Sequence, residues 1–369
     1  MKVVYIYMGS RGVSDDALGM ATGLLHNNAE VLCVISDKVD NLDLWERESE
    51  LNDKFSLLKV AVPNSVKTGI LGLFNLPLFY KLKKKVDTFS PDFVYSFMGH
   101  PFERMFVPYL KCKNVLTSIH DSEADHGQKD LLRPFLNFFN YKPRWYVTYS
   151  HFSKKGLVVR GFKEDSIIVT HLACNIKVAR ERTEANLQKS GKYMFWGRIE
   201  PYKGIDVLLD AVEKVIAGHK ESKLIIAGRG SLEQYQEQLA KLKDNVEVYN
   251  SWIPNEKVDS FFDKVDFVVA PYTAASQSGV VTLAFSYGKP VIASNSGALP
   301  EQVEDGVTGL IVPVGDAAQL AVSISELLND DMRLSEMKKN AFNVSNTMTW
   351  DSAAKKIIDF LKNEGVLAR

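Results

Sequence analysis

Short apolar, strand-like runs alternate with helix-like segments along almost all of the 369 residues, and this alternation constrains the fold most strongly. Val3 to Met8 is an apolar run that ends at Gly9, and residues 14–25 then carry apolar side chains at helical spacing. Glu30 to Ser36 is the next strand-like run. A strand, a glycine-containing turn, a helix and a second strand form the repeating unit of parallel sheets. The opening therefore predicts a doubly wound α/β domain.

The same alternation occurs twice along the chain. Further strands of the first half are predicted near residues 55–62, 93–98, 115–119, 145–149 and 166–170. Strands of the second half are predicted near residues 193–196, 223–227, 246–248, 267–270, 290–293 and 309–312. The polar stretch 176–191 has little apolar periodicity, which is typical of a linker. We therefore predict Rossmann-like, doubly wound domains at 1–175 and 192–345, followed by a last helix within 346–369 that packs back on the first domain.

The composition excludes several classes of protein. With 46% hydrophobic and 24% charged residues, the chain has the profile of a soluble globular protein. Its formal net charge of zero gives no indication of a nucleic-acid partner. The three cysteines lie too far apart for a disulfide framework or a metal cluster, as expected for a reducing cytoplasm. The first apolar run is too short for a signal peptide, and no run approaches the 18 apolar residues of a membrane span.

The segment from Phe195 to Ala211 carries the clearest chemical signal. Arg198 lies on the loop after a predicted strand, and Lys203 lies five residues later, just before a predicted helix. A guanidinium fork and an ammonium group beside a helix N-terminus suit a diphosphate. The alternative is an ordinary solvated basic turn.

Two further turns strengthen the diphosphate interpretation. The sequence LIIAGRGSL at 224–232 is a strand followed by a Gly-x-Gly turn. Ser276 to Gly279 opens a predicted helix directly after another strand. The first N–H groups of a helix have no partner within it and attract anions. We therefore expect a second phosphate contact close to the loop of Arg198 and Lys203.

The order of these segments resembles the GT-B glycosyltransferases of the large retaining group 4 family, which includes enzymes of bacterial cell-surface glycan synthesis. WGRIEPYKGIDVLLDA resembles the family's diphosphate-binding segment, LIIAGRGSLE its Gly-x-Gly turn, and residues 268–313 its donor-binding block. The resemblance covers essentially the whole second half. It implies two Rossmann-like domains facing each other across a cleft. It also implies sugar transfer, with retention of configuration, from a UDP- or GDP-sugar to a glycan or lipid-linked acceptor, without a cofactor or a metal.

The resemblance also implies roles for individual residues. Arg198 and Lys203 would stabilise the departing diphosphate, and Ile253 would lie against the nucleotide base. The backbone of Ser278, Gly279 and Val280 would contact the distal phosphate and the sugar. His120 would hydrogen-bond the donor sugar. The remaining residues implied to bind the donor are Gly12, in the first strand-to-helix turn, Gly228, in the Gly-x-Gly turn, and Gln277, in the donor block.

The chain departs from the family at two positions of the donor block. The family carries two glutamates eight positions apart, where this chain has Ala275 and Leu283. Gln277 to Val280 instead resembles a Gln-Ser-Gly-Val variant of the block. Because these two glutamates are absent, the resemblance leaves the identity of the donor open. It also leaves two alternatives open, a non-catalytic nucleotide-sugar-binding protein of the same fold and a nucleotide-sugar epimerase.

The first half offers three weaker signals. His120 follows the strand 115–119, where a neutral imidazole suits sugar hydroxyls, but a structural histidine is the alternative. The acidic loop 120–126 could instead be a Mg²⁺ or Mn²⁺ site, whereas the resembling family uses no metal. The basic, aromatic stretches 65–86 and 129–145 are typical of core helices with a solvated edge. They also suit docking on the anionic inner membrane face, near a lipid-linked acceptor.

Overall fold

The computed structural model describes residues 1–9, 13–62, 75–119, 142–174 and 189–368. These form two compact units. The first unit comprises Met1–His171 and Trp350–Arg369, and the second comprises Leu172–Thr349. Most of the predicted linker at 176–191 lies outside the described residues.

The first unit is a parallel sheet flanked by helices. Its described strands are β1 (Lys2–Tyr7), β2 (Glu30–Ser36), β3 (Phe55–Val60), β4 (Phe93–Ser96), β5 (Val115–Ser118), β6 (Trp145–Thr148) and β7 (Ile167–Val169). The helices are α1 (Ser14–His26), α2 (Leu42–Leu51), α3 (Leu76–Phe89) and α4 (His151–Val159). Within the described part of this unit, the seven strands follow the order β3-β2-β1-β4-β5-β6-β7. Chain order therefore reverses between β1 and β4, as in doubly wound sheets.

The second unit repeats this plan with six described strands. They are β8 (Lys192–Trp196), β9 (Lys223–Ala227), β10 (Val246–Tyr249), β11 (Phe267–Ala270), β12 (Val291–Ser294) and β13 (Gly309–Val312), in the order β10-β9-β8-β11-β12-β13. The helices are α5 (Ile205–Gly218), α6 (Gln236–Lys241), α7 (Asn255–Phe262), α8 (Gly279–Ser286), α9 (Leu299–Gln302), α10 (Ala317–Asn329) and α11 (Asp331–Thr347). Central strands such as β8 and β11 are apolar almost throughout because helices cover both faces of a parallel sheet. The predicted fold class, with two Rossmann-like doubly wound sheets, is confirmed.

The last helix, α12 (Trp350–Asn363), belongs to the first unit and packs on α1. Gly19 makes this packing possible, since a Cβ atom at that position would lie 2.2 Å from Cδ1 of Trp350. The indole of Trp350 also meets the rings of Phe97 and Tyr149 edge-on, with centroids 6.2 and 6.3 Å away.

The end of β4 differs from the predicted strand for a local reason. Strand β4 ends at Ser96 rather than Met98, because Met98 has a φ of 77° that a strand cannot contain. In the second unit, residues 233–241 form a 3₁₀ turn, Glu233–Tyr235, followed by α6. Helix α11 continues to Thr347, and its Ser345 hydroxyl donates to the carbonyl of Phe342, 2.7 Å away, within the same helix.

No helix in the described ranges is long and apolar enough to span a bilayer.

Candidate functional site

The carboxyl ends of β8 and β11 define the candidate site in the second unit. These strands are neighbours, and chain order reverses between them. Ligands of open α/β sheets bind where the strand order reverses, outside the carboxyl ends of the strands. The loop after β8 carries Arg198 and Lys203, and the loop after β11 carries Gln277 and Ser278. The sheet therefore brings together two segments that are about 75 residues apart in the sequence.

Glycines allow the loops after β8 and β9 to touch through their backbones. Gly228 has a φ of 149°, and a Cβ atom there would lie 1.8 Å from the carbonyl oxygen of Gly197. The N–H of Gly197 donates to Ala227 at 2.9 Å, and that of Ile199 donates to Arg229 at 2.9 Å. Gly228, which was expected to bind the donor, is buried and holds the two loops in contact. A side chain at this position would push them apart.

A similar contact ties the loop after β8 to the loop after β11. Gly204 has a φ of 68°, and a Cβ atom there would lie 2.0 Å from the carbonyl oxygen of Pro271. The N–H of Thr273 donates to the carbonyl of Tyr202 at 2.8 Å. Lys203 lies between Tyr202 and Gly204, so its backbone is held against the end of β11.

The side chain of Lys203 is half-buried on aromatic rings. Its Nζ atom lies 3.6 Å from the ring centroid of Tyr272 and 5.1 Å from that of Tyr202. Burial is the main cause that lowers the pKa of Lys203, and together with the positive charge of Arg198, against the opposing charge of Glu200, it brings that pKa to about 7. No salt bridge joins Arg198 or Lys203 to a carboxylate of the described residues. The site therefore presents positive charge that an anion could neutralise.

The loop before α8 is fixed by contacts with the segment after β12. The amide of Gln302 contacts the backbone of Ser278 twice: its Oε1 accepts from the N–H at 2.7 Å, and its Nε2 donates to the carbonyl at 3.1 Å. The N–H of Ala298 donates to the carbonyl of Ala275 at 2.9 Å. Gly297 allows this approach, since a Cβ atom there would lie 1.7 Å from the same oxygen.

The first turn of α8 faces the loop after β8. A Cβ atom at Gly197 would lie 3.4 Å from Cγ2 of Val280, and one at Gly279 would meet nothing within 4 Å. The N–H groups of Gly279 and Val280, in the first turn of the helix, have no acceptor within it. The N–H of Ser278 differs because it donates to Gln302. Open space in front of a helix start, beside the loop that carries Arg198, could hold an anion.

Two buried hydroxyls belong to the loop that leads from β11 to α8. Those of Tyr272 and Ser278 are close together without reaching hydrogen-bond geometry, and neither meets another partner in the part of the chain that the structure describes. Buried polar groups are nearly always satisfied in folded proteins. Unsatisfied hydroxyls here are therefore consistent with a ligand that supplies the missing partners.

The other residues implied by the resemblance have different surroundings. Ile253 is half-buried in the loop after β10 and packs on the core of the second unit. Ala275 is buried in the same core, and Leu283 is half-buried against it. Their apolar side chains cannot accept hydrogen bonds from a ligand. Gly12 and His120, and the alternative metal cluster at 120–126, lie outside the described residues. Within the described residues, no group of three or more His, Cys, Asp or Glu could hold a metal ion.

Two residues that shape the site were not predicted from the sequence. Tyr272 supports Lys203, and Gln302 holds Ser278. Tyr272 could have been noticed because it follows β11 at the sheet edge where ligands bind. Gln302 had no comparable signal, since it lies in the helix α9 and reaches the site only through the tertiary fold.

Comparisons with known proteins identify what this chain resembles. Residues 191–330 match the family model of glycosyl transferases group 1. Over 141 residues the chain is 33% identical to a phosphatidyl-myo-inositol mannosyltransferase of Mycobacterium leprae, covering 38% of this chain and 37% of that protein. Over 211 residues it is 28% identical to a D-inositol 3-phosphate glycosyltransferase of Corynebacterium diphtheriae, covering 52% of this chain and 49% of that protein.

The fold is similar over the full length to solved structures. The structure of Anabaena HepE in complex with UDP matches with a TM-score of 0.71 and 18% identity, covering 98% of this chain and 100% of that one. The chain spans less than half the length of each of these two curated relatives. The match to the family model coincides with the second unit, which contains the candidate site.

Proposed function

We propose, from the match of residues 191–330 to the family model of glycosyl transferases group 1, that the protein transfers a sugar from a nucleoside-diphosphate sugar to an acceptor. The observation that carries the proposal is the positive site between β8 and β11. Arg198 and Lys203 lie on the loop whose Gly197 faces Val280 in the first turn of α8. That combination suits a diphosphate, which is the leaving group of such a reaction.

The proposed chemistry is electrostatic stabilisation of the leaving group. As the bond from the sugar to the diphosphate breaks, negative charge grows on the departing phosphate oxygen. The guanidinium of Arg198, the ammonium of Lys203 and the N–H groups of Gly279 and Val280 would meet that charge. Because the loops are already fixed by backbone contacts, little reorganisation is needed as charge develops. Interactions that strengthen in the transition state accelerate the reaction.

We further propose that the sugar is transferred with retention of its anomeric configuration. As the resemblance implies, the acceptor would attack the face that the diphosphate leaves, and we assign no covalent nucleophile among the described residues of the second unit. His120 would hydrogen-bond the donor sugar, and Gly12 would lie near its phosphates. Gly228, Ile253 and Gln277 complete the proposed donor site. We assign no metal and no cofactor to the reaction.

The names of similar proteins narrow the donor and the acceptor. HepE was solved with UDP, and the curated relatives are named for mannosyl transfer to a phosphatidylinositol and for glycosyl transfer to an inositol phosphate. We propose a UDP- or GDP-sugar as donor and a glycan or lipid-linked glycan as acceptor. Ala275 and Leu283 would leave the donor sugar and ribose to be held by backbone groups and hydroxyls instead of carboxylates.

Helix α3 supports a peripheral position on the cytoplasmic face of an anionic membrane. Leu76 and Tyr80, 66% and 69% exposed, point outward near the start of the helix. Lys81, Lys84 and Lys85 are exposed further along it. Apolar groups beside lysines suit an anionic bilayer surface. Co-sedimentation with anionic liposomes at low salt tests this placement, and a protein that stays in the supernatant contradicts it.

The experiment that tests the function combines binding with turnover. Thermal shift with UDP, GDP, ADP and CMP and their sugar conjugates, with and without a chelator, identifies the nucleotide because a ligand of the native state raises the melting temperature. Arg198→Ala should abolish the shift, while Lys243→Ala, which removes an exposed cation of the same unit, should keep it. Absence of any shift in the wild type refutes the proposal.

Turnover assays then separate the three candidate activities. Sugar transfer to an acceptor panel supports the transferase, and the anomeric proton coupling of the product reports retention or inversion. Donor isomerisation without an acceptor would instead identify an epimerase. Binding of the donor without any turnover would identify a nucleotide-sugar-binding protein.

A further inference from the structure

Three aspartates lie together at the carboxyl edge of the first sheet, where β1 and β2 end. Asp15 and Asp16 belong to the first turn of α1, and Asp40 belongs to the loop after β2. Because β1 and β2 are parallel neighbours, the turn after β1 and the loop after β2 lie on the same edge. Chain order reverses beside β1, and open α/β sheets bind ligands at such an edge.

Buried polar side chains hold two of these carboxylates in place. The amide of Asn41 donates to Oδ1 of Asp15 at 2.8 Å and accepts from Nε1 of Trp45 at 3.0 Å. The hydroxyl of Ser14 donates to Oδ1 of Asp40. Asn41, Trp45 and Ser14 are all buried. The two exposed carboxylates therefore have fixed positions before any ligand arrives.

The third carboxylate, that of Asp16, has no such partner. It is half-buried and makes no hydrogen bond or ion pair with the described residues. Burial is the main cause that raises the pKa of Asp16 to about 7, and the negative charge of Asp15 adds to the increase. Within the described ranges no cation forms an ion pair with any of the three aspartates. Acidic residues also suit the first turn of a helix, so the cluster by itself does not indicate a ligand.

The hydroxyl of Tyr7 supplies an independent indication. Tyr7 ends β1 and is 1% exposed, and its hydroxyl has no hydrogen-bond partner in the part of the chain that the structure describes. This hydroxyl lies in the turn after β1, since a Cβ atom at Gly9 would be 2.6 Å from it. Burial is the main cause that raises the pKa of Tyr7, and the charges of the three aspartates add to the increase, so the hydroxyl lies near them. Buried hydroxyls are nearly always paired, so an unpaired one beside carboxylates indicates a ligand site.

The chemistry of this cluster suits a primary ammonium group. Ionised carboxylates only accept hydrogen bonds, and an ammonium group only donates them, three at a time. No group of three acids among the described residues could hold a metal ion, so the carboxylates suit separate N–H donors better than a single metal centre. A neutral hydroxyl would leave the negative charge of the aspartates uncompensated, whereas charge-assisted bonds to an ammonium group would offset it.

We propose that Asp16, Asp40 and the hydroxyl of Tyr7 bind a primary ammonium group. The ammonium group could belong to a hexosamine unit of the acceptor or to a free polyamine, and titration with both kinds of amine distinguishes these sources. Assignment to the acceptor rests on the proposed function, in which the donor occupies the site of the second unit. The protein would then transfer a sugar to a glycan that carries an unacetylated amino sugar.

Two substitutions test the cluster, and a third is the matched control. Asp16→Asn removes a charged partner and should weaken amine binding roughly 10- to 150-fold. Tyr7→Phe removes a neutral partner and should weaken it roughly 2- to 10-fold. Tyr7→Phe should not lower the melting temperature of the free protein, because the hydroxyl it removes is buried without a partner. Asp53→Asn is the control, since Asp53 is exposed and precedes β3 at the opposite, amino edge of the sheet.

The test is calorimetric titration, at neutral pH, of glucosamine, N-acetylglucosamine, glucose and putrescine into the wild type and the three variants. Acetylation removes the positive charge of glucosamine, and glucose has a hydroxyl in place of the amine. Glucosamine should therefore bind the wild type roughly tenfold more tightly than either neutral sugar, or better. Putrescine carries ammonium groups without a sugar. Tighter binding of glucosamine than of putrescine assigns the site to the acceptor, and the reverse order assigns it to a free polyamine.

A preference for amines over the neutral sugars supports the ammonium site if Asp16→Asn loses it and Asp53→Asn keeps it. Equal affinity of the wild type for glucosamine and glucose overturns the site, and so does a wild type that binds no amine. A lower melting temperature of Asp16→Asn with unchanged amine affinity also overturns it, because Asp16 would then only stabilise the start of α1. All three results leave the transferase proposal intact, which fails instead if the wild type binds no nucleotide.

Discussion

The affinity for a nucleotide sugar should decrease as the pH rises through 7, because Lys203 loses its proton in that range. Burial and the nearby charge of Arg198 lower the pKa of Lys203 to about 7 in the free protein. A bound diphosphate would favour the ammonium form and raise this pKa again. Above pH 7 the protein must therefore take up a proton when it binds the donor, and that uptake weakens binding as the pH increases.

The size of the effect follows from the position of the pKa. If the complex keeps the ammonium form up to pH 8, a free-state pKa of about 7 increases the dissociation constant about tenfold between pH 6 and pH 8. At pH 7 roughly half a proton per donor should be taken up, because half of the free protein carries a neutral lysine. Below pH 6 the affinity should be constant.

Isothermal titration calorimetry at pH 6, 7 and 8 measures both quantities. Two buffers with different enthalpies of ionisation report the proton uptake. The titrant should be a nucleotide sugar, since the terminal phosphate of a free nucleoside diphosphate titrates near pH 6 like other phosphate monoesters. Lys203→Arg is the matched variant, because a guanidinium keeps its charge throughout this range. Its affinity should not change with pH.

Two results would refute this reasoning. One is a wild-type affinity that stays constant between pH 6 and pH 8 without proton uptake. The other is a Lys203→Arg variant with the same pH dependence as the wild type, because the titrating group would then lie elsewhere.

Three further predictions concern stability. Gly204→Ala places a Cβ atom 2.0 Å from the carbonyl oxygen of Pro271 at a φ of 68°, so the melting temperature should clearly decrease. The control is Gly218→Ala, where a Cβ atom meets nothing within 4 Å, and this variant should melt like the wild type. Lys338 and Asp266 form a pair at 2.7 Å that is 1% exposed, so Lys338→Met leaves the buried carboxylate of Asp266 without its cation. Urea denaturation should show a decrease in unfolding free energy of about 3–5 kcal/mol, and a decrease of less than about 1 kcal/mol would contradict this. Burial raises the pKa of Glu103 from 4.5 to about 8. Between these two values the folded state holds a proton that the unfolded chain releases. The unfolding free energy of the wild type should therefore decrease between pH 5 and pH 8 by up to about 1.4 kcal/mol per pH unit. Glu103→Gln should remove that decrease in melts at both pH values, and an unchanged slope would exclude Glu103 as its source.

Most of the strands could be predicted because their information is local. A parallel strand covered on both faces is a continuous apolar run, such as β1 or β11, and no distant residue is needed to identify it. The end of β4 was predicted wrongly because one backbone angle decides it. Met98 ends β4 through its positive φ. That angle does not change the apolar pattern.

The candidate site could be predicted in part. Arg198 and Lys203 stand out because basic residues follow a strand and precede a helix, and Gly279 marks a helix start. The apolar character of Ala275 and Leu283 was also visible from the sequence. The sequence did not indicate that Lys203 rests on the ring of Tyr272, nor that an amide near residue 300 holds the loop before α8.

The sequence by itself determined the α/β alternation, the chemical nature of the loops and the residues able to meet a diphosphate. These follow from periodicity and turn chemistry within a few neighbouring residues. Only the tertiary structure decided that β8 lies beside β11, that Gly204 contacts the chain beyond β11, and that burial brings the pKa of Lys203 to about 7. The reason is physical: desolvation and the approach of distant loops depend on what surrounds a residue in space, and its sequence neighbours do not specify those surroundings.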